Sequence, residues 1–367
     1  MHIKTLSFRV ISFILSLLLL ISILGCTSQT VETPNLSEES SDGESEYNDD
    51  LSDENSSSSL EFPITITDHL NRSLTFDTPP QRIVSGYYIS SSMLMALGLQ
   101  DDVVGIEARP ETRPLYTLAS PDFLELPIIG SMRNLDLEGI ISLKPELVVL
   151  SVRLHEAIDT LSSLGIPVIG INPESTELLF EALEMIGSIT GTLEQAQSIQ
   201  LFYEDRLNFI SALDIVSSPS VYFAGNSDFL STVSNKMYQH HMIEQAGGMN
   251  VTYAIDDTYW ATISYEQLIV YNPDIIIIAP GASYTLDDLR ENDNIKDLTA
   301  IQSNQVYQMP SSLEAWDSPI PSGILGTLWL ASIIYDEQYP FDAFIEDVSS
   351  FYQLFYGFEI NPESITR

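Results

Sequence analysis

Basic residues are scarce in this chain, and several of them cluster in one part of it. There are 14 lysines and arginines against 52 aspartates and glutamates, yet Arg109, Arg113, Arg133 and Arg153 each come soon after a predicted strand. A guanidinium group offers a planar fork of N–H donors to carboxylates and other anionic oxygens. Ligands of open α/β sheets bind beyond the carboxyl ends of the strands, so we expect Arg109, Arg133 and Arg153 to contact a ligand. A surface ion pair is the alternative for each.

Aromatic side chains occupy comparable positions. Tyr87 and Tyr88 follow the first buried strand, Trp260 precedes a predicted helix, and Trp316 follows the last predicted strand. Aromatic faces suit a large, flat or chelated ligand, so the sequence predicts that these four residues, and also Tyr238, line a binding site. The alternative is that the tryptophans and Tyr238 pack in the core.

The sequence supports neither a metal site nor an enzyme. His240 and His241 are neighbours on one predicted helix, where their side chains point about 100° apart and rarely bind one ion together. Cys26 is the only cysteine, which excludes a disulfide or a multi-thiolate site within the chain. GxSxG, HExxH and phosphate-loop motifs are absent from the sequence. We therefore predict no catalytic residue, no cofactor and no protein-bound metal, and the residues leave haem ligation by a tyrosine or histidine open.

Two segments of alternating strand and helix character would position these side chains. Between them, apolar residues recur every three to four positions from Thr192 to Asp214, which predicts one long helix with Thr192 and Gln195 forming a capping box at its start. The fold class is therefore α/β, with two Rossmann-like lobes joined by one long rigid helix and a ligand cleft between them. The predicted boundaries are 62–191 for the N-terminal lobe, 192–214 for the linking helix and 215–367 for the C-terminal lobe.

The two lobes share an internal repeat. LEGIISLKPELVVL, which begins at Leu137, and YEQLIVYNPDIIII, which begins at Tyr265, both read as a helix ended by proline and followed at once by a buried strand. Glu138 and Glu266 occupy equivalent places in it. A glutamate near a helix start interacts favourably with the helix dipole, so both residues can be explained by helix stability alone.

The first 61 residues have the pattern of a targeting segment followed by a tether. Lys4 and Arg9 precede an apolar run that ends at Cys26, which predicts a lipoprotein signal peptide over 1–26 with Cys26 carrying the lipid. A secretory signal with an incidental cysteine is the alternative. Residues 27–61 are rich in Ser, Glu, Asp and Asn and contain no Lys or Arg, which predicts a disordered acidic tether. We expect an extracytoplasmic protein, lipid-anchored to the outer face of the cell membrane.

The charge balance narrows the possible partners. The formal net charge is −38, so nucleic acid and anionic lipid surfaces are poor partners for this chain.

Sequence stretches spread over most of the chain resemble a known family. In order, they are TDHLNRSLTF with PPQRIVSG, ALGLQDDVVGI, LPIIGSMRNLDLEGIISLKPELVVL, LGIPVIGI, EQAGGMNV, WATISYEQLIVYNPDIIII, IQSNQVYQMP and ILGTLWLASIIY. Together they resemble the substrate-binding proteins of ABC importers for iron–siderophore, haem and cobalamin, in which a rigid helix joins two lobes. The chain departs from that family at the start of its first helix, where it has Tyr87 and Tyr88.

The resemblance implies a role for the chain and for several residues. It implies a monomer that captures a ligand in the cleft and delivers it to a permease whose ATPase lies inside the cell. Arg133, Trp260 and Trp316 match ligand-facing positions of the family, and Glu138 and Glu266 match positions that dock onto permease arginines. A ferric siderophore is the first expected ligand, with haem or cobalamin as the alternative; an extracellular enzyme and an adhesion or sensory module are further alternatives.

Overall fold

The computed structural model describes residues 61–214 and 218–367. The predicted signal peptide, Cys26 and all but the last residue of the predicted tether lie outside these residues. Within the described ranges, no helix is both long enough and apolar enough to span a bilayer.

The N-terminal lobe, as we call the elements before the long helix, is built on a parallel sheet. A hairpin of β1 (Ile64–Thr67) and β2 (Ser73–Phe76) comes first. The remaining strands are β3 (Ile83–Ser85), β4 (Val103–Gly105), β5 (Gly130–Ser131), β6 (Asn134–Leu135), β7 (Leu147–Ser151) and β8 (Val168–Ile171). The sheet order is β4-β3-β7-β8, and all three of its pairings are parallel. β3, β7 and β8 are buried along their whole length, as expected for parallel strands covered on both faces.

Helices connect these strands. They are α1 (Tyr88–Ala96), α2 (Pro114–Ala119), α3 (Leu137–Ser142), α4 (His155–Ser163) and α5 (Thr176–Thr190). The first turn of α1 follows β3 almost directly, which places Tyr87 and Tyr88 at the carboxyl edge of the sheet. The alternation of strands and helices predicted from the sequence is confirmed here.

One helix, α6, runs from Leu193 to Ser211 between the two sheets. Its 19 residues span roughly 28 Å at 1.5 Å per residue. The predicted capping box is wrong: Thr192 makes no side-chain capping bond, and its hydroxyl is instead 2.9 Å from that of Thr190. Tyr203 is fully buried on α6 and donates a hydrogen bond to the carbonyl of Ile320 at 3.1 Å, which ties the helix to the C-terminal part of the chain.

The C-terminal lobe follows α6 and is built on a mixed sheet. Its strands are β9 (Ser220–Ala224), β10 (Ser231–Val233), β11 (Met249–Asn250), β12 (Trp260–Thr262), β13 (Ile275–Ile278) and β14 (Val306–Gln308). The order is β12-β10-β9-β13-β14, with β11 pairing beside β9. The pairs β9–β13 and β13–β14 are parallel, whereas β10 pairs antiparallel with β9 and β12. The antiparallel strands β10 and β12 were not predicted.

The helices of this lobe are α7 (Tyr238–Gln245), α8 (Tyr265–Tyr271), α9 (Leu286–Arg290), α10 (Thr299–Gln302), α11 (Ile324–Ile334) and α12 (Phe341–Tyr356). Three of them, α7, α11 and α12, pack on α6 or on the N-terminal lobe. α11 is buried on almost every side, and α12 contacts α1 of the other lobe. One apolar core therefore runs from the N-terminal lobe through α6 into α11 and α12.

Candidate ligand-binding site

The two lobes meet where α1 begins. The Tyr88 hydroxyl donates a hydrogen bond to Oγ of Ser318, which follows β14 in the C-terminal lobe, at 2.8 Å. The guanidinium of Arg113 lies 4.3 Å from the centre of the Tyr88 ring. Burial raises the pKa of Tyr88 to about 12, so its hydroxyl stays protonated near neutral pH.

A second contact between the lobes involves Arg153. Its Nη2 lies 2.6 Å from Oε1 of Glu174, and its guanidinium lies 4.6 Å from the centre of the Tyr259 ring of the C-terminal lobe. Tyr259 is 38% exposed and the adjacent Trp260 is 43% exposed, so both rings border solvent. Burial raises the pKa of Glu174 more than the charge of Arg153 lowers it. Arg153, Tyr259 and Trp260 can bind a ligand by cation–π, stacking and hydrogen-bond contacts.

Buried carboxylates lie behind these contacts. Asp317 is 8% exposed, and burial raises its pKa to about 6 although Gln239 Nε2 donates a hydrogen bond to it at 3.3 Å. Glu314 accepts hydrogen bonds from Ser92 Oγ of the N-terminal lobe at 2.7 Å and from Ser322 Oγ at 2.5 Å. Burial also raises the pKa of Glu314. We call the region where these residues of the two lobes meet, around Tyr88, Arg153 and Asp317, the junction. It contains more carboxyl groups than guanidinium groups.

Arg113 is ion-paired within the protein, although its Nε makes no hydrogen bond among the described residues. Its Nε lies 3.2 Å from Oε1 of Glu107. The same carboxylate, which is 4% exposed, accepts hydrogen bonds from Tyr116 at 2.6 Å and from Ser91 at 2.7 Å. Arg113 is therefore positioned to orient Tyr88 rather than to act as a free cation.

A cavity of about 320 Å³ opens on the N-terminal lobe. Arg133 and Arg153 line it together with His155, Glu156 and apolar residues of β6 and α4. Arg133 is exposed. Arg109 is also exposed and adopts a left-handed backbone with φ 66° ahead of a short turn. It is not among the residues that line this cavity.

Comparisons with known proteins identify the class of protein. Residues 83–313, more than half of the chain, match the family described as "Periplasmic binding protein". The chain belongs to this family. It is the substrate-binding component of an ABC importer, a class of protein that works outside the cytoplasm with a permease and an ATPase, and its relatives are binding proteins rather than enzymes.

Individual relatives cover most of the chain. It is 23% identical to the molybdate-binding protein MolA of Haemophilus influenzae over 82% of this chain and 93% of that one. It is 26% identical to the uncharacterized ABC transporter substrate-binding lipoprotein YvrC of Bacillus subtilis over 76% of this chain and 87% of that one. A vitamin B12-binding protein of Photorhabdus laumondii is 25% identical over 55% of this chain and 72% of that one.

Solved structures show the same fold. The structure of Haemophilus influenzae MolA bound to molybdate matches with a TM-score of 0.71 at 20% identity, covering 81% of this chain and 99% of that one. The predicted α/β fold with two lobes is confirmed.

Two predicted ligand contacts of this binding protein need correction. Trp316 is 1% exposed, and its Nε1 donates a hydrogen bond to the Tyr352 hydroxyl at 2.9 Å. Its ring meets that of Phe344 edge to face, 5.8 Å between centres. Tyr238 is also 1% exposed, on the first turn of α7. Trp316 is in the core because Phe344 and Tyr352 of α12 cover it, and Tyr238 on α7 belongs to the same core cluster.

The other predicted contacts fall into two groups. Tyr88 and Arg153 join the lobes directly, and Tyr87 is buried beside them. Trp260 is exposed at the edge of the same region, whereas Arg133 lines the cavity on the N-terminal lobe. Their roles in ligand binding stay predictions.

Sequence reasoning missed several polar residues of the junction. They are Glu174, Gln239, Tyr259, Asp317 and Ser318. Asp317 and Ser318 are the direct neighbours of Trp316, and Tyr259 precedes Trp260. The position after a strand was therefore the right signal, but it marks a segment and not a single side chain.

Both predicted docking glutamates lie on exposed surfaces. Glu138 and Glu266 are the second residues of α3 and α8. Asp136 accepts a capping hydrogen bond at the start of α3, and Ser264 begins a full capping box in α8. A hydrogen bond with Ser264 lowers the pKa of Glu266, so this carboxylate is ionised at neutral pH.

Proposed function

We propose that this binding protein captures a metal chelate, with a ferric siderophore as the first candidate, and delivers it to its permease. The observation that carries the proposal is the contact between Arg153 and Tyr259 across the junction, with Trp260 exposed beside it. A chelate presents a broad, partly apolar surface with peripheral oxygens, which aromatic rings and guanidinium groups bind together. Arg109 and Arg133 would extend this surface on the N-terminal lobe.

A corrinoid is the second candidate. The relative from Photorhabdus laumondii is named a vitamin B12-binding protein, and a corrinoid also offers a large surface to aromatic side chains. A small free oxyanion is less favoured, although one relative is named a molybdate-binding protein. In this chain the arginines of the junction are already paired with Glu107 and Glu174.

Tryptophan fluorescence tests the proposal because the chain has three tryptophans and one is exposed. Trp260 is 43% exposed, whereas Trp316 and Trp329 are 1% and 0% exposed. We expect a ferric siderophore or cyanocobalamin to quench the emission, and Trp260→Phe to abolish most of that quenching. Arg153→Met should weaken binding roughly 5- to 50-fold, since a charge-assisted contact is lost. Absence of binding by every chelate tested would contradict the proposal.

We also propose that Glu138 and Glu266 dock onto the permease, one from each lobe. One turn after each glutamate an isoleucine is exposed on the same helix: Ile141 is 40% exposed and Ile269 is 50% exposed. Residues three apart share a helix face, so each lobe presents a carboxylate beside an apolar side chain. The two lobes therefore present the same pair of side chains, a glutamate and an isoleucine. This similarity supports docking of each lobe onto one of two equivalent surfaces of the permease.

The docking proposal predicts a separation of binding from transport. Glu138→Arg with Glu266→Arg, and separately Ile141→Ser with Ile269→Ser, should leave the affinity for the ligand unchanged. Both pairs should reduce uptake in cells that express the permease and ATPase. Glu184→Arg, at an exposed glutamate of α5 in the N-terminal lobe, serves as the charge-matched control for Glu138→Arg. Normal uptake by both double variants would rule out these surfaces.

The anchor and the lobe boundaries complete the proposed function. We propose a lipid on Cys26, an acidic tether over 27–61, and lobes over 62–191 and 215–367 joined by 192–214. The relative YvrC is named a lipoprotein, which supports the anchor. Cys26→Ser should move the protein from the membrane fraction to the soluble fraction, and the soluble form should elute as a monomer in size-exclusion chromatography. A membrane-bound Cys26→Ser protein would contradict the anchor.

A further inference from the structure

Three buried side-chain atoms at the junction lack a hydrogen-bond partner among the described residues. They are the hydroxyl of Tyr87, the side-chain carbonyl oxygen of Gln239 and the Nε of Arg113, which is ion-paired with Glu107. The two uncharged side chains are Tyr87 in the N-terminal lobe and Gln239 in the C-terminal lobe. Each side chain is 6% exposed. Burying a polar atom without a partner costs free energy, so such atoms mark places where a ligand can supply the missing bond.

The two uncharged residues, Tyr87 and Gln239, are connected by hydrogen bonds, a ring contact and neighbouring positions in the chain. Gln239 Nε2 donates a hydrogen bond to Oδ2 of Asp317 at 3.3 Å, and the next residue, Ser318, accepts one from Tyr88 at 2.8 Å. The Tyr88 ring meets the Tyr87 ring edge to face, 6.5 Å between centres. We call Tyr87, Tyr88, Gln239, Asp317 and Ser318 the seam. It crosses from one lobe to the other.

The seam offers mainly acceptors. The free atom of Gln239 is a carbonyl oxygen, which can only accept, and an ionised Asp317 also accepts only. Asp317 forms no ion pair within residues 61–214 and 218–367. The Tyr87 hydroxyl can donate or accept. A ligand that brings N–H groups would satisfy this set, whereas an oxyanion would place its own acceptors against it.

We propose that the seam binds its ligand through N–H donors that the ligand supplies, as amine, ammonium or primary amide groups. This inference rests on the proposed function, because it concerns the ligand of the same chain. It narrows the chelates that fit to those with nitrogen donors at their periphery.

Three iron or cobalt compounds separate the possibilities. Ferrioxamine B carries a free ammonium group, cyanocobalamin carries primary amides, and ferric citrate carries no N–H group. We expect the protein to bind one of the first two and to bind ferric citrate at least 10-fold more weakly. Tyr87→Phe and Gln239→Met each remove one seam atom and keep the shape of the side chain. Each should weaken binding of the preferred compound roughly 3- to 10-fold, as measured by isothermal titration calorimetry.

Tyr335→Phe is the matched control. Tyr335 is 5% exposed, and its hydroxyl also lacks a partner among the described residues, but it lies against Gly247 and outside the seam. Both tyrosine variants should be at least as stable to heat as the parent protein, because each loses a buried hydroxyl that forms no hydrogen bond among the described residues. Tyr335→Phe should bind the preferred compound with unchanged affinity.

The outcomes distinguish this inference from the proposed function. Preference for ferric citrate, or equal affinity of the parent, Tyr87→Phe and Gln239→Met proteins for a chelate that binds, would overturn the inference and leave the proposed function intact. Failure of all three compounds to bind would overturn both.

Discussion

Replacing Asp317 by asparagine should stabilise the ligand-free protein at neutral pH. Burial raises the pKa of Asp317 from 3.8 to about 6. Between these values the folded protein binds a proton that the unfolded chain releases, so the stability contributed by Asp317 is complete below about pH 4 and is lost as the pH rises through about 6. Asparagine has nearly the same shape, can still accept from Gln239, and does not ionise.

The size of the effect follows from the shift in pKa. A difference in pKa of about two units between the folded and unfolded states corresponds to about 3 kcal/mol of the free energy of unfolding. The parent protein loses about 2 kcal/mol of this amount between about pH 4.5 and about pH 8. Glu314 and Glu174 also have raised pKa values, but they are present in both proteins. Their contributions cancel when the variant is compared with the parent at each pH.

Urea unfolding at several pH values would measure this difference. We expect the free energy of unfolding of Asp317→Asn, minus that of the parent, to increase by about 2 kcal/mol from about pH 4.5 to about pH 8. Asp297→Asn, the same change of side chain at an exposed position, is measured in parallel. A pH-independent difference for Asp317→Asn would refute the assignment of a buried, poorly compensated carboxylate to this position.

Four other substitutions test the packing. Trp316→Ala should lower the free energy of unfolding by about 3–5 kcal/mol and Trp260→Ala by less than about 1 kcal/mol, as chemical denaturation would show, because only Trp316 is buried. Tyr203→Phe should cost about 1–3 kcal/mol in the same assay, since the backbone N–H that starts α11 loses its acceptor; an unchanged midpoint would contradict that contact. Gly130→Ala should lower the melting temperature by several degrees, because φ is +92° and the new Cβ would meet the carbonyl oxygen of Asn134.

The alternation of elements could be predicted because it depends on local patterns. Buried parallel strands are short apolar runs, and the two buried strands predicted in the internal repeat are present as β7 and β13. Positions that end helices carry their own signals, such as Gly191 with its left-handed backbone after α5. The strands β10 and β12 were missed because each has three residues without an apolar run, and only their pairing with distant partners makes them strands.

The candidate site was predicted as a region and only partly as residues. The rule that ligands bind after strands led to Tyr88 and Arg153, and the position before a predicted helix led to Trp260. All three lie at or beside the junction of the lobes. The same rule led to Trp316, which lies in the core. The difference between Trp260 and Trp316 depends on the side chains of α12 that cover Trp316, and these lie about 30 residues further along the chain.

The sequence by itself determined the order of the elements, the two similar lobes, the helix between them and the family. These properties rest on spacing and on residues close in the chain. The tertiary structure alone decided which ring faces solvent and which carboxylate is buried, as with Asp317 beneath the junction. Burial depends on what packs against a side chain, and here the partners are distant along the chain. Phe344 and Tyr352 of α12 contact Trp316, and Gln239 of α7 donates to Asp317.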